Sequence, residues 1–209
     1  MRLTSLIIPG LFILLGFLCS YKHTPAQQNA DCASAYWVGR QYKLHVVNVR
    51  GIGTDHQEAN TIPCFFNGNT FGQAEVNSTW LRFAIDKPGT LRFTILPDTT
   101  KDDYDFVLFR LPQHGDCAQK EVVRCMASSP SGKETGPDSP CFGPTGLIDD
   151  ETDITEDAGC SDPDDNNWLK PLEVQAGEQY VLLLSNISGP FHGCTVRFWG
   201  DFTFKENPE

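Results

Sequence analysis

The sequence predicts an all-β fold, a jelly-roll-like antiparallel β-sandwich, on three observations. Residues 77–110, NSTWLRFAIDKPGTLRFTILPDTTKDDYDFVLFR, read as three successive strands. In this stretch Leu81, Phe83 and Ile85, then Leu91, Phe93 and Ile95, alternate with polar or small residues. That is the two-residue period of a strand with one face on a core. The run YVLLLS at 180–185 is almost continuously apolar, as a central sandwich strand is. No apolar stripe at helical spacing follows the first segment of the chain.

That first segment reads as a secretory signal. Arg2 precedes an apolar run at 6–18, interrupted by Pro9 and Gly10. The run is too short for a membrane span and fits the hydrophobic region of a cleaved signal. Small residues Thr24 and Ala26 place cleavage after Ala26, so the signal peptide is 1–26 and the β-sandwich domain 27–209, its core about 30–204. The rival reading is a lipid anchor at Cys19, although Leu18 is bulky where such signals use a small residue. No second apolar run reaches ~18 residues, so no membrane span is expected.

Along the rest of the chain, 42–49 (YKLHVVNV) is the first strand. Residues 51–72 are turn-rich and tied by Cys64. Strands follow at 79–85, 90–96 and 104–111, the first two separated by the turn signal Lys87-Pro88-Gly89. A short strand at 122–123 precedes Cys125. Residues 127–167 are rich in Ser, Pro, Gly and Asp and read as one long loop, a length that marks function or loose packing. Residues 168–174 lead through a Gly177 turn into 180–185, and 193–204 (GCTVRFWGDFTF) closes the domain. About eight strands separated by turns argue for the sandwich.

The chain has 209 residues and a net charge of −11. Removing 1–26 takes away two cations and no acid, leaving −13. Such a chain repels nucleic acid, which is recognised by Lys/Arg stripes. Eight cysteines in a secreted chain read as disulfides rather than metal ligands. Proximity in sequence suggests Cys117–Cys125, Cys141–Cys160 around the acidic loop, and Cys32–Cys64 around the first strand. Cys194 is then the odd one, a buried free thiol among the core positions of the last strand.

The segments STWLRF, GTLRFTI, DDYDFVLF and PLEVQAGEQYVLLLSN resemble a β-sandwich module found near the N-termini of secreted Bacteroidetes gliding-motility and sorting-domain proteins. More distantly, the chain is similar to the bacterial pre-peptidase C-terminal domain. The resemblance covers about residues 30–204. It implies a non-catalytic accessory, adhesive or ligand-binding role at the cell surface, because fold alone does not carry an activity. The acidic loop LIDDETDITEDAGCSDPDDNN is longer than that pattern and is a feature of this chain.

Two acidic clusters are the candidate ion sites. Asp102, Asp103 and Asp105 form one; Asp162, Asp164, Asp165 and Asn166 form the other, with Asn167 beside it. Ca2+ takes six to eight oxygens from such groups. The competing reading is a solubilising edge with turn-forming Asp side chains. Alternation places Asp103 and Asp105 on one face with Val107, pointing outward, if Tyr104, Phe106 and Leu108 point into the core. Among Trp37, Trp80, Trp168 and Trp199, Trp168 follows the acidic loop and is the candidate ligand-stacking residue. The histidines form no H-E-x-x-H motif, and no G-x-S-x-G elbow occurs. The sequence thus points to a secreted, non-catalytic binding or adhesion module, with a cell-surface protein or glycan as partner. Two alternatives are a structural subunit of an outer-membrane or extracellular assembly and an accessory domain of a carbohydrate-active enzyme or peptidase.

Overall fold

The structure, a computed structural model, describes residues 29–47, 49–56, 58, 62–65, 75–112, 114–127, 142–159, 166–189 and 192–206. The expected signal segment 1–26 with Cys19, and Cys141, Cys160, Asp162, Asp164 and Asp165, lie outside the described residues.

Thirteen strands build two facing sheets: β1 (Tyr36–Trp37), β2 (Lys43–Val46), β3 (Ser78–Lys87), β4 (Gly89–Pro97), β5 (Tyr104–Leu111), β6 (Glu121–Met126), β7 (Thr145–Leu147), β8 (Thr155–Glu156), β9 (Trp168–Leu169), β10 (Leu172–Val174), β11 (Gln179–Asn186), β12 (Cys194–Gly200) and β13 (Thr203–Phe204). The seven-stranded sheet runs β1-β3-β11-β5-β6-β8, with β13 also on β3; the six-stranded sheet runs β2-β12-β4-β7-β9, with β10 also on β4. Strands β3 and β4 belong to different sheets, so the turn at Pro88 is a corner from one sheet to the other. Gly89 is required there: a Cβ would sit 2.7 Å from the backbone nitrogen of Phe202.

The all-β sandwich matches the sequence reading, and three details differ from it. The sheets are mixed: β1–β3, β6–β8 and β7–β9 pair in parallel. Each of these pairs includes a two-residue strand delivered by a loop rather than by a hairpin. Thirteen strands occur among the described residues, and residues 127–167 are not one loop but contain β7 and β8. Strands of two or three residues carry no readable period; their pairing to β4 and β6 creates them.

The disulfides are also rearranged relative to expectation. Cys32 bonds Cys117 and Cys64 bonds Cys125, so the pairings Cys32–Cys64 and Cys117–Cys125 do not form. The reason is a second core. Between the sheets lie Leu81, Phe83, Phe93, Phe106, Leu182 and Phe198 with their neighbours. On the outer face of the seven-stranded sheet lie Trp80, Val107, Phe109, Leu111, Val181 and Leu183. The loops carrying Cys32, Ile62, Cys64 and Phe65 fold over that outer face, and each disulfide staples a covering loop to the β5–β6 side of the sheet. Closing loops of 85 and 61 residues stabilises by about 4 kcal/mol each in the chain-entropy model. Cys194 is free and buried, as the sequence suggested.

Leu182 and Leu183 therefore report on different cores. Leu183→Ala should destabilise by about 2–5 kcal/mol, as Leu182→Ala does. Urea unfolding of both variants tests this. A loss below about 1 kcal/mol at Leu183 would mean that the outer face is not packed.

Candidate functional site

The two sheets present very different outer faces. That of the seven-stranded sheet is sealed. That of the six-stranded sheet stays exposed. Leu44, Leu91, Phe93, Leu147, Leu169, Val196 and Phe198 face the inner core, so alternation turns Lys43, Arg92, Thr94, Gly146, Trp168, Arg197 and Trp199 outward. The registers align five of them in one row across the sheet. Lys43 is opposite Arg197, Arg197 opposite Thr94, Thr94 opposite Gly146 and Gly146 opposite Trp168. Four strand spacings make this row roughly 19 Å wide. One step along the strands, Trp199 pairs with Arg92, whose guanidinium lies 5.2 Å from the indole centroid.

Gly146 is imposed by its backbone. Its φ is +148°, and a Cβ would collide with the carbonyl oxygen of Phe93. The row consequently has no side chain between Thr94 and Trp168. Trp199 is 41% exposed and Trp168 half-buried, while Lys43 and Arg197 are exposed and engage no carboxylate among the described residues. Arg92 is paired with Asp149 at 2.6 Å. At the rim, His45 Nε2 lies 3.0 Å from Asp98 Oδ1. The other tryptophans are not part of this face. Trp80 is fully buried, donates to Glu75 Oε1 at 3.1 Å and stacks on Phe109. Trp37 lies in β1 on the other sheet.

The first acidic cluster is split by the strand. Asp102 turns to His192, with Oδ1 2.9 Å from Nδ1, and its Oδ2 is buried without a hydrogen-bond partner. Asp103 and Asp105 lie on the same face as Val107, as alternation required. That face is not solvent, however: the stapled loops close it, and Asp105 is 5% exposed. Asp105 Oδ1 has no hydrogen-bond partner. Burial, then the negative charge of Asp103, pushes the Asp105 carboxyl well above the usual carboxylate range. Among the described residues no group of three or more His, Cys, Asp or Glu is placed to hold a metal.

Of the second cluster Asn166 and Asn167 are described; Asn167 is buried, its backbone N–H donating to Glu156 Oε2 and its carbonyl accepting from Thr145 Oγ1, and the polar atoms of Asn166 serve the turn into β9. Its side-chain oxygen accepts from Trp168 N at 2.9 Å, its amide donates to Glu151 Oε1 at 3.1 Å, and its backbone N–H donates to Glu156 Oε1. This is the turn-forming role of an Asn side chain.

Nucleophilic chemistry has little support among the described residues. Burial pushes the Cys194 thiol up to about 12, and a protonated thiol is a poor nucleophile. Tyr104 donates to the His192 carbonyl at 3.1 Å and so holds the segment before β12. The sequence reading missed Lys43, Arg197 and Arg92. Their signal was the alternation of Arg197 and Trp199 with core residues Val196 and Phe198. No protein family, no curated protein and no solved structure matches this chain.

A different acid sets the pH response. Glu58 accepts from the Cys32 backbone N–H at 3.0 Å, yet burial, with the charge of Glu75 adding to it, raises its pKa to about 7. A carboxyl raised on folding binds its proton more tightly in the folded state, so stability is lost as pH rises from the unfolded value through the folded one. Glu75 and Asp105 shift in the same direction. The melting temperature should therefore fall between about pH 5 and 8, and Glu58→Gln should flatten that slope. Thermal melts across this range check it; an unchanged slope in the variant would remove Glu58 as a cause.

Proposed function

We propose that the protein is a secreted, non-catalytic binding module of the cell surface, with the outer face of the six-stranded sheet as its ligand surface. The observation that carries this is the asymmetry of the two faces. One is closed by loops and two disulfides, while the other is left open and lined by two tryptophans and three cations. Burying exposed Trp199 and half-buried Trp168 against a ligand supplies apolar area, and the flanking cations supply orientation. Disulfides suit an oxidising compartment, and no helix among the described residues is long and apolar enough to cross a membrane. The resemblance to modules of secreted Bacteroidetes proteins supports the same reading. A structural subunit would expose a broader apolar patch; on this face the exposed apolar residues Val47, Leu96 and Trp199 alternate with Arg, Lys and Thr.

Trp168→Ala and Trp199→Ala together should abolish retention of the protein on cell-surface material from the producing cells and leave its melting temperature within a few degrees. Co-sedimentation with washed surface fractions measures this. Equal retention of the double variant would assign binding to another surface.

Calcium is the second part of the proposal, supported by Asp105. An ionised carboxylate that is buried without a hydrogen-bond partner on one oxygen needs either a proton or a cation. A Ca2+ held through Asp105 and Asp103, and bound only by the folded chain, stabilises by about 2.7 kcal/mol at ~100-fold excess over Kd. Millimolar Ca2+ should raise the melting temperature by a few degrees over chelator, and Asp105→Asn should remove that difference. A melting temperature insensitive to Ca2+, together with a stabilising Asp105→Asn at pH 8, would identify a protonated carboxyl instead.

A further inference from the structure

We infer that the exposed face of the six-stranded sheet binds an acidic polysaccharide, a chain of sugars bearing uronate carboxylates, laid along the row from Lys43 to Trp168. The inference deepens the binding-module reading and rests on it.

Charge complementarity selects the ligand class. The whole chain carries −11, yet this face puts Lys43 and Arg197 side by side in register with no acid facing them among the described residues. The arginines elsewhere show what this chain does with a cation that has only a structural role. Arg40 pairs with Glu206 and Arg110 with Glu121. Arg124 donates to the carbonyl oxygens of Lys170 and Pro171. Arg197 has no such engagement among the described residues, and its planar fork matches one carboxylate in two parallel hydrogen bonds.

Shape and stacking select a sugar chain over other anions. The row runs continuously across five strands because their registers define it, and it is roughly 19 Å wide. Tryptophans lie at its Trp168 end and one step aside at Trp199, where the C–H faces of sugar rings pack on indole. Gly146 leaves a gap between Thr94 and Trp168 that admits a ring edge close to the sheet. A nucleic acid requires a longer run of cations to meet a phosphate at every residue. Here two cations that engage no carboxylate among the described residues match a ligand with one or two carboxylates per site, on a chain whose net charge is −11.

Binding of the full chain to polygalacturonate, alginate and hyaluronate, with a neutral β-glucan and a single-stranded oligonucleotide as comparators, tests the inference by calorimetry or affinity electrophoresis. At least one uronate polymer should bind, and the neutral glucan should bind at least about tenfold more weakly, the loss of one charged hydrogen bond. Arg197→Ala and Lys43→Ala should each lower that affinity about tenfold or more with an unchanged melting temperature. Raising salt should weaken binding to the wild type more than to Arg197→Ala. Failure of all three uronate polymers overturns the inference, as does equal binding of the neutral glucan or tighter binding of the oligonucleotide. Self-association that is lost in Arg197→Ala also overturns it, by identifying an acidic segment of a second copy as the occupant. If the uronate polymers fail while the double tryptophan variant still loses retention on surface material, the binding-module reading stands and only the ligand class falls. If the double variant keeps that retention, the face itself is wrong.

Discussion

Burial of the seven-stranded sheet on both of its faces is the constraint on which the rest depends. A sheet sandwiched against one partner sheet has one dry face; here β5 and β11 are dry on both. Phe106 and Leu108 pack inward while Val107 and Phe109 pack outward. The outward face can be dry only if loops cover it, and loops cover it stably only if tied down. The disulfides supply the tie, which is why their connectivity joins covering loops to the β5–β6 side rather than linking neighbours in sequence.

The same constraint explains the acids. Asp105 lies in register with Ser185 and next along its face to Val107. A carboxylate there would be unremarkable on an open sheet. Under the covering loops it becomes a buried group without a partner on one oxygen, next to Asp103. Glu58 and Glu75 belong to the covering layer and are shifted in the same direction for the same reason, loss of water.

What was legible in the sequence follows from how far each feature depends on local pattern. The long strands β3, β4, β5, β11 and β12 were readable because each runs for seven residues or more, long enough to show either alternation or a continuous apolar run. The pairs and triplets in β1, β7, β8 and β9 were not, since they are strands only through their partners. The facing of Asp103 and Asp105 was correctly read, but their burial was not. The signal was present in the unbroken apolar run 106–109, which cannot belong to a sheet with one wet face. Trp168 was legible as a candidate. That Lys43, Arg197 and Trp168 share one row was not, because the row joins residues 43, 94, 146, 168 and 197 through registers that no spacing encodes.

The Cys32–Cys117 bridge also determines how the molecule would carry a load. Tension entering from the N-terminal side reaches Cys32 before any described strand. It then crosses the covalent bridge to Cys117, directly ahead of β6. The intervening 85-residue interval, which holds β1 to β5, is shielded from the pull. At 3.3–3.6 Å per extended residue, roughly 290 Å of chain is withheld from extension. A tether built this way lengthens only over its C-terminal portion, β6 to β13, while β1 to β5 stay within the bridged loop.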